Sequence, residues 1–190
     1  ALTEYAFQKG VNYLTLFAFS TENWKRSARE VNYLMGLLKR VIREQTQAMH
    51  AKNIRVVFIG LRNKLSSSIV QAIDEAHALT RANTGGTLQI ALNYGGRAEI
   101  VEAVKAIARE RHSWRSISEK MLGSHMQTVG VPDPDLIIRA SGEYRLSGFL
   151  LWQSAYSELF FSPKLWPEFT KVDFDAALTA YAVRKRRFGA

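Results

Sequence analysis

An open, mostly parallel α/β sheet flanked by helices is the fold class this sequence predicts. Between residues 11 and 110 short apolar runs alternate with longer amphipathic ones, in the order strand, helix, strand, helix, strand, helix. The apolar runs are continuous rather than alternating, as strands buried on both faces are. Polar or glycine-rich turns close several of them at the carboxyl end, which is where ligands of open α/β sheets bind.

The elements follow in order. Leu2, Tyr5 and Ala6 recur at helical spacing, and Gly10 stops that run as a C-terminal glycine does. The first strand is predicted at Val11 to Phe19, and Ser20-Thr21-Glu22-Asn23-Trp24 breaks it. An amphipathic helix from Arg29 to about His50 presents Val31, Leu34, Leu37, Leu38, Val41, Ile42 and Met49 on one face. A strand at Ile54 to Ile59, a helix at Lys64 to Arg81 and a strand at Thr87 to Leu92 come next, with Asn83-Thr84-Gly85-Gly86 as the turn before the last. At Asn93-Tyr94-Gly95-Gly96-Arg97 a strand gives way to a helix predicted over Ala98 to Glu110. The glycines leave N–H groups free at that helix start, either as an anion site or as a plain connection. Residues 111–130 are polar, with one short helix expected around Ser118 to Leu122; His112 and His125 lack metal-ligand spacing. Near the end, Pro163, Leu165-Trp166 and Pro167 make an apolar corner, and Asp173 is read as the cap of a last helix with Phe174, Ala177, Leu178 and Tyr181 inward.

Chemistry concentrates between Pro132 and Phe161. A short apolar strand, Leu136 to Ile138, ends in Arg139, with Ser141-Gly142, Arg145 and Ser147-Gly148 after it. Guanidinium forks match phosphate oxygens, so two arginines flanking a tight turn predict a ligand with more than one phosphate; a solvated loop with two surface charges is the bland alternative. Glu158 stands in an apolar run, where a carboxylate is costly unless it is hydrogen-bonded, paired or metal-bound. Beside a diphosphate its natural use is to hold Mg²⁺.

The chain has 190 residues, a net charge of +9 and no cysteine, which fits a single α/β domain and rules out disulfides and thiolate metal sites. A basic balance points to anionic partners. The charge is scattered and no nucleic-acid motif is present, and diphosphates and anionic lipid headgroups account for it equally well. The one dense patch is Arg184 to Arg187. Absence of cysteine leans toward the cytoplasm, and no run of residues is apolar enough to span a bilayer.

Five motifs in sequence order resemble the cis-prenyltransferases, the undecaprenyl diphosphate synthase family: FAFSTENWKR at 17–26, NYGGR at 93–97, RASGEYRLSGFLLWQSAYSELFF at 139–161, LWPEF at 165–169 and RKRRFG at 184–189. The resemblance runs the length of the chain. It implies an enzyme that condenses isopentenyl diphosphate repeatedly onto an allylic diphosphate with Z geometry, in many bacteria to make the undecaprenyl carrier of cell-wall precursors. By that resemblance Arg139, Arg145 and Ser147 hold isopentenyl diphosphate, Arg26 contacts the allylic diphosphate, Ser20, Asn23 and Trp24 form the catalytic loop, and Glu158 is linked to the cofactor Mg²⁺. Ala18, Leu34, Leu38 and Gly86 then line the product tunnel, and Gly86, where a bulky residue is common, implies room for a long product. Arg187 and Gly189 belong to a tail that reaches the partner's diphosphate site in a homodimer. The expected localisation is cytoplasmic, with peripheral membrane contact to release product and no nucleic-acid partner.

Two departures accompany the resemblance. Family members carry a strand ending in a loop like Asp-Gly-Asn-Gly-Arg, then a helix, ahead of the point matched by residue 1; no Asp-Gly pair occurs in these residues, so the expectation is one cis-prenyltransferase domain over 1–190, N-terminally incomplete, active as an enzyme when that segment is supplied. Gly148 stands where Asn is usual and Tyr144 where His is frequent. Two other classes remain open: a non-catalytic partner subunit of a heteromeric cis-prenyltransferase, and a polyphosphate- or nucleic-acid-binding module.

Overall fold

The computed structural model describes residues 2–110, 112 and 114–184, which form an open, parallel sheet architecture flanked by helices. The chain divides into two compact units, one over residues 6–132 and one whose described residues are 2–5 and 133–184.

α1 (Leu2–Gln8) starts in the smaller unit and ends in the larger one, which continues with β1 (Tyr13–Ser20), α2 (Ala28–Ala51), β2 (Arg55–Ile59), α3 (Ser67–Thr80), β3 (Thr87–Tyr94), α4 (Gly96–Arg109) and α5 (Glu119–Ser124). β3 lies between β1 and β2, parallel to both, with Tyr13 and Arg55 each opposite Thr87. The register slips between Phe17 and Phe19, so Ala18 is an extra, exposed residue in β1, a bulge of the kind that re-aims side chains near a strand end. Phe19, Leu92, Ile42 of α2 and Ile69, Ala72, Ile73 and Ala76 of α3 form the main core, and Met49, Ile54, Val56 and Leu88 a second. Burial of apolar faces at about 25 cal/mol per Å² is what holds these helices to the sheet.

Local chemistry sets the element ends. Ser27 caps α2 reciprocally: its Oγ accepts from Glu30 N (3.3 Å), and Glu30 Oε2 accepts from Ser27 N (3.3 Å). Thr80, fully buried at the end of α3, accepts from Val56 N at 3.0 Å and donates to Ala76 O at 2.8 Å, which ties helix to strand. The imidazole of His77 accepts the N–H of Phe58 through Nε2 at 2.8 Å, a bond only the neutral ring can make. Burial, and next the charge of Arg62, hold His77 below its ordinary pKa. A depressed folded-state value means the stability from this contact is complete above the unfolded pKa, near 6.5, and declines as pH falls toward the folded one. Thermal melts of wild type and His77→Gln should therefore differ in slope below about pH 6.5, the wild type losing stability faster on acidification; parallel curves would contradict the assignment.

The smaller unit holds β4 (Leu136–Arg139), β5 (Glu158–Phe161) and α6 (Lys171–Ala182). β4 and β5 pair in parallel, Leu136 opposite Glu158 and Arg139 opposite Phe161. The run read as an apolar neighbourhood for Glu158 is thus itself a strand. Asp173 is not the cap of α6: Thr170 is, and Asp173 sits three residues on, accepting from Thr170 N and Oγ1, each at 2.7 Å. Lys164 at 2.6 Å, with those bonds, holds its pKa down to about 2. Tyr5 belongs to this unit, donating from its hydroxyl to Asp175 Oδ2 at 2.5 Å and meeting Phe174 edge-on.

Candidate active site

Each unit carries part of the predicted site at the carboxyl end of its strands. In the larger unit β1 ends at Ser20 and the chain enters a 3₁₀ turn, Thr21–Lys25. Asn23 folds back, its Oδ1 accepting from Ser20 N at 2.8 Å, so that two of the three loop residues predicted from the sequence fix one another. Trp24 is fixed from elsewhere: its Nε1 donates to Asn93 Oδ1 at 2.7 Å, and its ring meets Phe19 edge-on at 5.2 Å.

Asn93 was not among the residues singled out individually, although its motif was. It is 1% exposed, has φ +51° and donates to the carbonyls of Leu61 and Asn63 at 2.7 and 2.8 Å. One amide thereby clamps the loop after β1 to the loop after β2. Asparagine suits the left-handed conformation better than other side chains do, and that is the signal a strand-ending Asn before Gly-Gly offers. Beside it, a Cβ on Gly95 would lie 2.5 Å from Thr21 Oγ1, so glycine here serves close approach of the two turns. No side chain caps α4, which begins at Gly96. Arg26 is exposed beyond the turn, 3.8 Å from Glu30.

Of the tunnel residues, Leu34 and Leu38 pack together against the core around Phe19 and Leu92, while Ala18 stands exposed at the bulge. Gly86 is close to a ring on one side. A Cβ there would fall 2.8 Å from the ring of Phe7, and φ is +143°, so the glycine is required by backbone and packing.

In the smaller unit the two arginines do converge. Arg139 donates from Nη1 to Ser147 Oγ at 2.8 Å and from Nη2 to Glu143; Arg145 reaches the other oxygen of Glu143 at 2.5 Å. The carboxylate of Glu143 is spanned by the two guanidinia. Arg139 Nε is buried and has no acceptor, a donor left over once Ser147 and Glu143 are counted. Ser141, Gly142, Ser147 and Gly148 have φ of +94°, +69°, +50° and +80°, and the loop is pinned by Ser141 N to Lys164 O (2.7 Å) and Gly142 N to Ser162 O (2.9 Å). Left-handed Gly148 explains why glycine can stand where asparagine is usual, since both tolerate that conformation. Tyr144 is exposed, its ring 5.2 Å from that of Phe161.

Glu158 is elsewhere. It opens β5, opposite Leu136, three residues of ladder from Arg139 and, by strand alternation, on the other face. At about 3.3 Å per residue the two are about 10 Å apart along the strands. Its carboxylate accepts from Arg184, which also donates to Leu159 O at 3.2 Å. Among the described residues no group of three or more His, Cys, Asp or Glu is placed to hold a metal ion. Arg187 and Gly189 lie outside the described residues.

The comparisons agree with these motifs. A family model described as putative undecaprenyl diphosphate synthase matches residues 1–189. An isoprenyl transferase of Rhizobium meliloti is 52% identical over 188 residues, covering 97% of this chain and 76% of that protein, and one from Neisseria gonorrhoeae is 45% identical, covering 99% and 75%. Among solved structures, lavandulyl diphosphate synthase from Lavandula x intermedia, in complex with dimethylallyl diphosphate, has a TM-score of 0.95 at 37% identity, covering 99% of this chain and 83% of that one. A probable undecaprenyl diphosphate synthase from Campylobacter jejuni has 0.90 at 32%, covering 99% and 89%.

Proposed function

The chain belongs to the undecaprenyl diphosphate synthase family of cis-prenyltransferases, and from that premise we propose that it condenses isopentenyl diphosphate sequentially onto an allylic diphosphate such as farnesyl diphosphate, giving a long polyprenyl diphosphate that serves as the undecaprenyl precursor of a cell-wall lipid carrier. The observation that carries the reading is the pair Arg139 and Arg145 closed around the Glu143 carboxylate with Ser147 alongside. A diphosphate offers the same guanidinia more oxygens and more charge than Glu143 does.

In this reaction the allylic C–O bond breaks, carbon becomes cationic, the double bond of isopentenyl diphosphate attacks it and a proton leaves the adjacent carbon. Arg139, Arg145 and Ser147 hold the isopentenyl diphosphate, and Arg26 neutralises the allylic diphosphate as it departs. The Ser20, Asn23 and Trp24 turn, fixed by Asn93, orders the reacting carbons and excludes water from the cation.

Magnesium fits the donor chemistry of Glu158, a hard oxygen ligand whose present partner is a half-exposed arginine. When bound, by Glu158 and substrate phosphate oxygens, it would supply charge neutralisation on a leaving diphosphate. A partly exposed ion pair is worth about 0.2–1 kcal/mol, too little for its loss alone to slow turnover much. Glu158→Gln is thus expected to leave the melting temperature nearly unchanged, lower turnover more than about tenfold (about 1.4 kcal/mol) and raise the Mg²⁺ needed for half-activity. An unaltered Mg²⁺ titration would return Glu158 to the role of Arg184's counter-ion.

The working assembly in this reading is a homodimer in which Arg187 and Gly189 of one chain serve the partner's diphosphate site, and the enzyme acts in the cytoplasm with peripheral membrane contact. With Phe7 beside Gly86, chain length rests on family membership alone; reversed-phase chromatography of products from labelled isopentenyl diphosphate would test it, and a dominant product of two or three units would contradict the long-chain assignment.

A further inference from the structure

Three turns carry the chain from a helix into a strand of the β1-β3-β2 sheet, and parallel pairing brings all three to one edge, opposite the catalytic turns. They comprise residues 8–13, 50–55 and 80–87, and none contains an aspartate or a glutamate. Lys9, His50, Lys52, Arg55 and Arg81 stand there, all exposed. Tyr13, 45% exposed, lies among them.

The turns are laced into a fixed platform. Gly85 N donates to Asn53 O at 2.8 Å, Thr84 N to Asn53 Oδ1 at 3.0 Å, Asn53 Nδ2 to Thr84 Oγ1 at 3.1 Å and Arg55 N to Gly86 O at 2.8 Å. Between them is an open hollow of about 290 Å³, lined by Asn12, Tyr13, Arg55, Asn83, Thr84 and Gly85 among others. Helix dipoles explain a basic residue at each helix end, and that accounts for Lys9, Lys52 and Arg81. It does not account for Arg55, the first residue of a strand, or for an exposed tyrosine beside it.

We propose that this edge is an electropositive docking face for the anionic headgroups of a lipid bilayer. Headgroup phosphates match an arginine set in a polar hollow, and tyrosine favours the interfacial layer, with an apolar ring and a wet hydroxyl. No helix among the described residues is long and apolar enough to cross a membrane. The proposal rests on the polyprenyl reading for its purpose, since a growing isoprenoid chain is expelled by water and must pass into a bilayer. The binding itself needs no catalysis.

The test is flotation of the purified chain with phosphatidylcholine vesicles, with and without phosphatidylglycerol. Three proteins are compared: wild type, the edge variant Lys52→Ser/Arg55→Ser/Arg81→Ser, and a control, Lys105→Ser/Arg109→Ser/Arg115→Ser, that removes the same charge outside the edge. Wild type should bind only the anionic vesicles and lose binding steeply as salt is raised. The edge variant should lower the partition coefficient on the order of 100-fold, and the control far less. Equal losses in both variants, salt-insensitive binding, no binding to anionic vesicles, or displacement of the vesicles by an RNA oligonucleotide would each overturn the proposal. The salt titration of the wild type stands without any variant if the edge variant does not fold. Isopentenyl diphosphate condensation in detergent should be unchanged in the edge variant. Failure of condensation with intact vesicle binding would count against the catalytic reading alone.

Discussion

Replacing Arg139 by alanine is expected to raise the KM for isopentenyl diphosphate by about ten- to a hundred-fold, since a hydrogen bond to a charged group contributes roughly 1.5–3 kcal/mol. The side chain is 23% exposed against 63% for Arg145, so solvent screens it less and Arg145→Ala should cost less. Lysine at either position should rescue only in part, because a point charge does not reproduce the fork. Glu143→Gln should move KM the other way, by removing the carboxylate that competes for both guanidinia. Steady-state kinetics with isopentenyl diphosphate varied would check all five variants. Wild-type KM in both alanine variants would remove the diphosphate assignment.

The second large effect is expected at Asn93. Truncation to alanine leaves the indole N–H of Trp24 and the carbonyls of Leu61 and Asn63 without their partner, in a position that is 1% exposed. Trp24 and Leu61 are only partly buried and Asn63 is exposed, so each loss falls at or below the low end of about 1–3 kcal/mol, and the left-handed backbone adds strain for alanine. A total near 3 kcal/mol corresponds to a melting temperature lower by roughly 6–12 °C in a chain of this size. Because the amide also holds the turn at Thr21–Lys25, kcat should fall more than KM in the surviving folded protein. Differential scanning calorimetry paired with kinetics separates the two; an unchanged melting temperature would show that the clamp contributes little.

Much of this architecture was legible in the residues. Continuous apolar runs marked β1, β2 and β3 to within two residues at either end, although only the central strand β3 is largely buried. β5 was hidden, since Glu158 begins it and a four-residue strand leaves almost no period to read. Asp173 drew attention as a capping residue by type, but the reciprocal box places its acid three residues after the cap, where Thr170 had the prior claim.

The site was legible in types and less so in partners. Convergence of Arg139 and Arg145 followed from a turn that only glycine and small polar residues make, but Glu143 as the group they enclose did not, because an acid between two arginines reads equally as a solvated charge. Glu158 was placed with the arginines by chemistry alone, and strand register puts it at the other end of the ladder. Spare room at Gly86 was inferred from a missing side chain. Positive φ and the ring of Phe7 supply the actual reason for glycine, and neither can be read from sequence.

The central claim is that this chain makes Z-linked polyprenyl diphosphate from isopentenyl units. Incubation of the full-length protein with farnesyl diphosphate, labelled isopentenyl diphosphate and Mg²⁺, with products resolved by chain length and the new double bonds assigned by carbon NMR, tests it directly. The account predicts a long-chain product whose added units are all Z, with incorporation strongly reduced in Arg139→Ala. Products with E double bonds, or no incorporation by a folded full-length protein, would contradict it.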